Sequence, residues 1–214
     1  MRYDTYGELR SAIQLLLLGG DINDPVDDIT SFDNMISLGE ALVHNGGSFA
    51  IDGRYLGPLR ASSMETALDV AVADNAAPLP ADCMELSILW LDDGAPLEVV
   101  AERDLRSRLK YFQGGPARKA AQAGDSVIFS PTVEDGAVLG GRYYARPPAL
   151  KDELHATYDR YPDLYVYAAL VAAAPHFGID GARYQISYTQ LLDQANQQER
   201  NRVSAGGRLR QVSR

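Results

Sequence analysis

The spacing of apolar residues changes twice along the chain, and this change constrains the fold more than any other feature of the sequence. Near the N-terminus, apolar residues recur at helical spacing from Leu9 to Leu17 and again from Phe32 to Val43. Between residues 49 and 150, turn residues recur about every ten positions and separate short β-type runs, with one short helix expected from Glu102 to Leu109. Helical spacing returns at Pro162. The sequence therefore predicts an α+β fold, in which N- and C-terminal helices form a bundle and a small antiparallel β unit is inserted between them.

This pattern divides the chain into four expected parts. We expect an N-terminal helical part at residues 1–48, the inserted antiparallel β unit at 49–150, C-terminal helices that pack on the N-terminal helices at 151–202, and an extended basic tail at 203–214.

The segment from Pro162 to Ala174 is apolar nearly all round. Proline suits the first position of a helix, and a helix that is apolar on every side is a buried one. We therefore expect this helix to be the centre of the fold, with Leu164, Val166, Leu170 and Val171 all shielded from solvent. The side chains expected to pack around it are Leu9, Ile13, Leu16, Met35, Leu38, Leu42, Leu191 and Leu192.

Charge is distributed unevenly along the 214 residues. The chain carries 29 acidic and 20 basic residues, a net charge of −9, but residues 200–214 hold five Arg and no acid. Residues 1–199 therefore carry 29 acids and 15 bases, a net of −14. An acidic body repels nucleic-acid phosphate, whereas a short basic segment suits an acidic partner surface. The apolar run Leu15–Leu18 is far shorter than the roughly 20 residues that span a membrane, so we expect no membrane segment and see no signal peptide.

The sequence holds few residues that could carry chemistry. Its three histidines, His44, His155 and His176, stand far apart, and Cys83 is the single cysteine. The Asp-rich stretch 21–28 lacks the glycine of a calcium-binding loop. The Gly-Gly pairs belong to no phosphate-binding or nucleophile motif. We therefore expect no catalytic residue, no metal and no cofactor.

Four segments resemble one family when they are taken in order. They are the opening, Thr5 to Asp21 and then Phe32 to Ala41, with Leu38-Gly39-Glu40-Ala41 at its end; Leu79–Leu86, Leu-Pro-Ala-Asp-Cys-Met-Glu-Leu; Tyr143–Leu150; and Tyr161–Pro175, which contains Pro-Asp-Leu-Tyr-Val-Tyr-Ala-Ala-Leu. They occur in this order, distributed over nearly the whole chain, and together they resemble the head-to-tail adaptor, or connector, proteins of tailed bacteriophages. Residues 46–58 match no motif of that family.

The resemblance implies a structural virion protein rather than an enzyme. Members of the family form a homo-oligomeric ring, usually of twelve copies, between the portal protein and a tail protein (a nozzle or tail-terminator protein). DNA passes through the lumen without specific binding. The expected location is the virion neck at the head–tail interface, after synthesis in the host cytoplasm.

The resemblance also implies that the C-terminal tail reaches the portal, and we expect residues 200–214 to bind an acidic or carbonyl-rich groove there. We expect Arg208, Arg210 and Arg214 to pair with carboxylates, since guanidinium groups do so bidentately. Leu209 and Val212 would be small apolar anchors. Two other roles are open for this segment: a disordered basic tail that keeps the subunit soluble, and contact with DNA phosphate in the channel.

Two other functions remain compatible with the sequence. One is an enzyme whose two acidic residues are distant in sequence, because such pairs leave no local motif. The other is a small-molecule-binding α+β domain, which a large apolar pocket with few polar groups would favour.

Overall fold

A computed structural model of the chain describes residues 3–18, 29–48, 55–92, 94–109 and 115–211. The chain divides into two compact units. We call Met1–Ser63 together with Pro147–Arg214 the helical unit, and Met64–Arg146 the strand unit.

Helices and strands both occur in the described residues, as an α+β chain requires. The α-helices are α1 (Tyr6–Leu18), α2 (Ile29–Asn45), α3 (Glu102–Leu109), α4 (Ala156–Arg160), α5 (Pro162–Ala173) and α6 (Ala182–Gln211). The strands are β1 (Gly47–Ser48), β2 (Tyr55–Leu56), β3 (Glu65–Ala71), β4 (Ala76–Pro78), β5 (Cys83–Leu91), β6 (Glu98–Val99), β7 (Lys119–Ala123), β8 (Ser126–Ser130) and β9 (Val138–Ala145). Of these, α3 and β3–β9 lie in the strand unit, and the others lie in the helical unit.

Helix α5 is the buried centre of the helical unit, as the sequence predicts. Pro162 is its first residue, and Leu164, Val166 and Leu170 are buried as expected, whereas Val171 is only partly buried. Helices α1, α2 and α6 all pack against it. The approach of α2 is especially close, because a Cβ placed on Gly39 would lie 2.6 Å from the backbone nitrogen of Ala169. Only glycine on α2 and small residues on α5 allow two helices to lie so near each other.

Two of the side chains expected to pack around α5 do not do so. Leu16 is 46% exposed and Leu38 is 54% exposed, so their prediction as core residues is wrong. In α1 the buried leucine of the last turn is Leu17, four residues after Ile13, and neighbouring positions point about 100° apart around a helix. In α2 the contact with α5 is centred on Gly39, which turns Leu38 to the outside.

The strand unit contains two sheets, with strand orders β3-β9-β5 and β4-β8-β7-β6. All neighbours are antiparallel except β6 and β7, which run parallel. The expectation of an antiparallel unit therefore needs one correction: the second sheet is mixed. The reason is α3, because a crossover helix between two strands permits parallel pairing. The buried core of this unit is formed by side chains such as Leu68, Leu89, Phe129 and Leu139.

None of the described helices is both long enough and apolar enough to cross a membrane.

Candidate partner-binding site

Helix α6 carries one buried acidic side chain, Glu199, which is only 4% exposed. Its Oε1 accepts a hydrogen bond from the hydroxyl of Tyr161 at 2.6 Å and another from Nη1 of Arg160 at 3.0 Å. Its Oε2 accepts from the backbone N–H of Ser62 at 3.0 Å. The guanidinium of Arg202 lies 3.4 Å from Oε1. Glu199 therefore ties α6 to the α4–α5 junction and to the segment that ends the first part of the helical unit.

These contacts keep Glu199 ionised. Burial by itself would raise the pKa of the Glu199 carboxyl, but the hydrogen bonds from Tyr161, Ser62 and Arg160 outweigh burial and lower this pKa below its ordinary value. The donor in the shortest of these contacts is the hydroxyl of Tyr161. Burial and the hydrogen bond to Glu199 raise the pKa of Tyr161 to about 12. Tyr161 therefore remains a neutral donor and Glu199 a charged acceptor throughout the physiological range of pH.

Residues 193–199 carry no functional prediction from the sequence, which shows only that the stretch 193–202 is almost wholly polar. One signal could have identified Glu199. It follows Ala195 by four positions and Leu192 by seven, so it continues the buried stripe of α6. An acidic residue at a buried helical position needs partners, and Arg160, Tyr161 and Ser62 supply them.

The helix continues beyond Glu199 into the basic segment that the sequence predicts to bind a partner. Residues 200–202 are exposed, and the backbone is helical to Gln211. The backbone of residues 203–211 thus differs from the extended conformation expected for residues 203–214. The two glycines at 206 and 207 cost a helix only about 1 kcal/mol each relative to alanine, and α6 is already established when it reaches them.

The predicted partner-binding residues divide between this helix and the end of the chain. Arg208, Leu209 and Arg210 lie in the last turn of α6. Val212 and Arg214 lie outside the described residues. The structure thus places three of the five on one continuous element that Glu199 anchors.

Two histidines that are distant in sequence meet in the helical unit. The ring centroids of His44 and His155 are 6.0 Å apart, and both rings pack edge-on against Tyr165. Nε2 of His44 lies 2.9 Å from the hydroxyl of Tyr165. Nδ1 of His155 accepts from the backbone N–H of Tyr158 and so caps α4. These contacts serve packing and helix capping. The meeting of the two histidines could not be predicted, because they lie far apart in the sequence.

The remaining residues that could carry chemistry lie apart from this pair. His176 follows the end of α5 and packs against Phe177. Cys83 is partly buried at the start of β5, and burial raises the pKa of its thiol. Among the described residues, no three His, Cys, Asp or Glu side chains are grouped as metal ligands would be. The Asp-rich stretch 21–28 lies outside the described residues.

Comparison with known proteins supplies the family. A family profile described as SU10 adaptor protein matches residues 4–211, which is nearly the whole chain. No curated protein matches the chain. The profile spans all four of the motif segments and both structural units. The chain therefore belongs to the SU10 adaptor protein family and is a bacteriophage adaptor protein, a component of the virion.

Proposed function

We propose that the protein forms a homo-oligomeric ring between the portal and the tail protein at the virion neck. Membership of an adaptor family over residues 4–211 carries this proposal. The ring is a structural part that gives the tail a platform for attachment, and it has no catalytic role.

The charge of the body supports a passage for DNA. Residues 1–199 have a net charge of −14, the difference between 29 acids and 15 bases. A negative wall repels phosphate, so DNA can move through the lumen without being held.

We also propose that residues 203–214 are the contact with the portal. Glu199 fixes α6 immediately before this segment, and residues 200–202 are already exposed. Arg208, Arg210 and Arg214 provide three guanidinium groups for acidic or carbonyl-rich partners. Leu209 and Val212 provide apolar contacts between them. A segment of this kind gains its contacts when the partner is present, which couples ring formation to docking.

Truncation tests this proposal. A chain ending at Arg202 keeps Glu199 and all its partners, so it should melt as the full chain does but fail to co-purify with portal protein co-expressed from the same phage. A matched pair of charge reversals separates sequence-specific docking from general attraction. Arg208→Glu with Arg210→Glu should abolish co-purification, whereas Arg103→Glu with Arg146→Glu, in the strand unit, should leave it intact.

Three outcomes contradict the assignment of the portal contact. Normal docking by the truncated chain would remove the segment from the interface, which is the result expected if it is only a solubilising tail. Loss of docking by both charge-reversal pairs would indicate non-specific attraction. Intact docking with loss of DNA binding would indicate a contact with phosphate, recognised by a steep dependence on salt.

A further inference from the structure

Helix α4 is held at both ends by hydrogen bonds of its two cap residues. At its start, Nδ1 of His155 accepts the backbone N–H of Tyr158 at 3.2 Å. At its end, the backbone N–H of Tyr161 donates to the carbonyl oxygens of Thr157 and Tyr158. The helix has only five residues, so each cap supplies a large share of the hydrogen bonds that hold it.

The cap at the start of α4 requires a neutral imidazole. Because Nδ1 of His155 accepts a hydrogen bond, the ring proton lies on Nε2. Nε2 is buried and has no hydrogen-bond partner within the described part of the chain, and the whole residue is only 6% exposed. A second proton would therefore set Nδ1–H against the N–H of Tyr158. It would also leave a buried positive charge without an acceptor at Nε2.

The groups that face His155 do not reverse this effect. The ring centroids of His44 on α2 and Tyr165 on α5 lie 6.0 Å and 5.6 Å from that of His155. Tyr165 is no anion, because burial raises its pKa far above the ordinary value. Asp159 on α4 favours the protonated imidazole, but burial outweighs it and lowers the pKa of His155 below its ordinary 6.5. The charge of Glu40 on α2 acts on Tyr165.

The same short helix positions two of the donors that hold Glu199. Arg160 is the last residue of α4, and Tyr161 follows it directly. Both donate to Oε1 of Glu199, at 3.0 Å and 2.6 Å. Among the described side chains of α6 after Ala195, that of Glu199 is the only buried one. The attachment of this part of α6 to the rest of the helical unit therefore depends on the position of α4.

We propose that α4 is a proton-controlled latch on α6: protonation of His155 opens α4, and the opening releases Glu199 and the part of α6 that follows it. The latch lies wholly within the helical unit. Glu199 does not titrate near neutral pH, because its pKa lies below its ordinary 4.5, and Tyr161 stays protonated with a pKa of about 12. Weaker docking on the portal in acid would be a consequence that rests on the proposed function, whereas the latch itself does not.

A single proton sets the size of the effect. The closed latch resists protonation, so the equilibrium shifts toward the open form as pH falls below 6.5, by up to about tenfold for each pH unit. The shift ends at the lower pKa that His155 has in the closed form. Above pH 6.5, His155 is neutral in both forms and the equilibrium is level.

Hydrogen–deuterium exchange of the full chain between pH 7.5 and 5.5 tests the latch, once the rates are corrected for the intrinsic pH dependence of exchange. We expect the protection of residues 156–161 and 196–202 to fall together, by up to about tenfold from pH 6.5 to 5.5. Residues 184–192 of α6 should keep their protection, since Tyr184, Tyr188 and Leu192 are buried. His155→Asn keeps a side-chain cap that takes up no proton, so it should remove the fall in both segments.

His176→Asn is the matched control, because His176 is exposed beyond the end of α5. This variant should retain the pH dependence of the parent chain. If His155→Asn does not fold, His155→Ser provides a second uncharged cap with the same expected result. His44→Gln tests the neighbouring imidazole. Loss of the pH dependence in His44→Gln, with its retention in the His155 variant, would overturn the assignment to His155.

The outcomes separate the latch from the portal contact. Level protection in the parent chain, an unchanged fall in the His155 variant, or a fall confined to residues 156–161 overturns the latch. An equal fall in residues 164–173 of α5 would be unfolding of the whole helical unit and also overturns it. Co-purification with portal at pH 7.5 and 5.5 is measured in parallel. Weaker docking at pH 5.5 in the parent but not in His155→Asn supports the consequence for docking, and equal docking of the parent at both values overturns it. Docking that is absent at both values overturns the proposed portal contact, while exchange still decides the latch.

Discussion

Substitution of Glu199 tests most directly how α6 is held in place just before its basic C-terminal segment. Four donors converge on its two oxygens: the hydroxyl of Tyr161, the guanidinium groups of Arg160 and Arg202, and the backbone N–H of Ser62. Glu199→Gln preserves the shape of the side chain but replaces one acceptor oxygen with an NH₂ group. At least one contact then sets a donor against a donor, and the others lose the negative charge that strengthens them.

The expected loss follows from the number of bonds. A hydrogen bond to a charged group contributes about 1.5–3 kcal/mol. Losing one such bond and weakening the others should cost the folded helical unit about 2–4 kcal/mol, against a total stability of roughly 5–15 kcal/mol for a domain. For a chain of this size, about 2–4 °C in Tm corresponds to each kcal/mol. We therefore expect a fall in Tm of roughly 4–16 °C, measured by circular dichroism at pH 7.

A matched control is Glu153→Gln, an exposed glutamate in the same unit. Its stability should lie within about 0.5 kcal/mol of the parent chain. Because the pKa of Glu199 is lowered on folding, its contribution is present at neutral pH and is lost as pH falls below the ordinary value of 4.5 toward the folded pKa. The difference between the parent and Glu199→Gln should therefore narrow below about pH 4.5. Equal Tm values for Glu199→Gln and Glu153→Gln would refute this reasoning.

Three further predictions concern the core of the helical unit. Leu170→Asp buries a charge at the centre of α5 and should abolish the cooperative melt of this unit. Leu38→Asp, at an exposed site, should change the free energy of unfolding by less than about 1 kcal/mol. Similar effects from both substitutions would contradict the burial of α5. Gly39→Ala places a methyl group against the Ala169 backbone and should cost about 1–3 kcal/mol in urea unfolding; an unchanged or raised midpoint would show that α2 and α5 can separate freely. Burial lowers the pKa of His155 below its ordinary 6.5, so stability should be level above about pH 6.5 and should decrease below that pH. His155→Asn should make this decrease smaller in melts from pH 7.5 to 5. Equal slopes of Tm against pH for the parent chain and the variant would exclude His155 as the cause.

Elements with a strong local pattern could be predicted from the sequence. Helix α5 was expected from Pro162 to Ala174 and spans Pro162–Ala173, since a proline start and an unbroken apolar run leave little choice. Helix α3 was expected at Glu102–Leu109 and has those bounds. The α+β class follows from the same change of period and is confirmed.

Properties that depend on which other helix or strand of the chain an element packs against could not be predicted in the same way. Periodicity shows that α1 has an apolar side, but both Leu16 and Leu17 fit that side, and only packing against α5 decides that Leu17 is buried. The parallel pairing of β6 with β7 depends on where the crossover helix places the next strand. A run of two residues carries no signal of its direction.

The candidate site contains one feature that the sequence shows and one that only the folded structure shows. The Arg-rich composition of residues 200–214 is visible in the sequence, but the anchor before it is not. Glu199 takes its partners from positions 38, 39 and 137 residues away. In a polar stretch of helix, the sequence alone does not distinguish a buried glutamate from an exposed one.

The mass of the complex formed with portal protein tests the central claim most directly. The chain and the portal of the same phage are co-expressed, purified through a tag on the portal, and measured by native mass spectrometry. The proposed function predicts a portal ring that carries one further ring, with a fixed whole number of copies of this chain, and the loss of that mass when the chain ends at Arg202. A portal ring of unchanged mass, or one that binds variable numbers of copies, would contradict the proposal that this adaptor forms a ring on the portal.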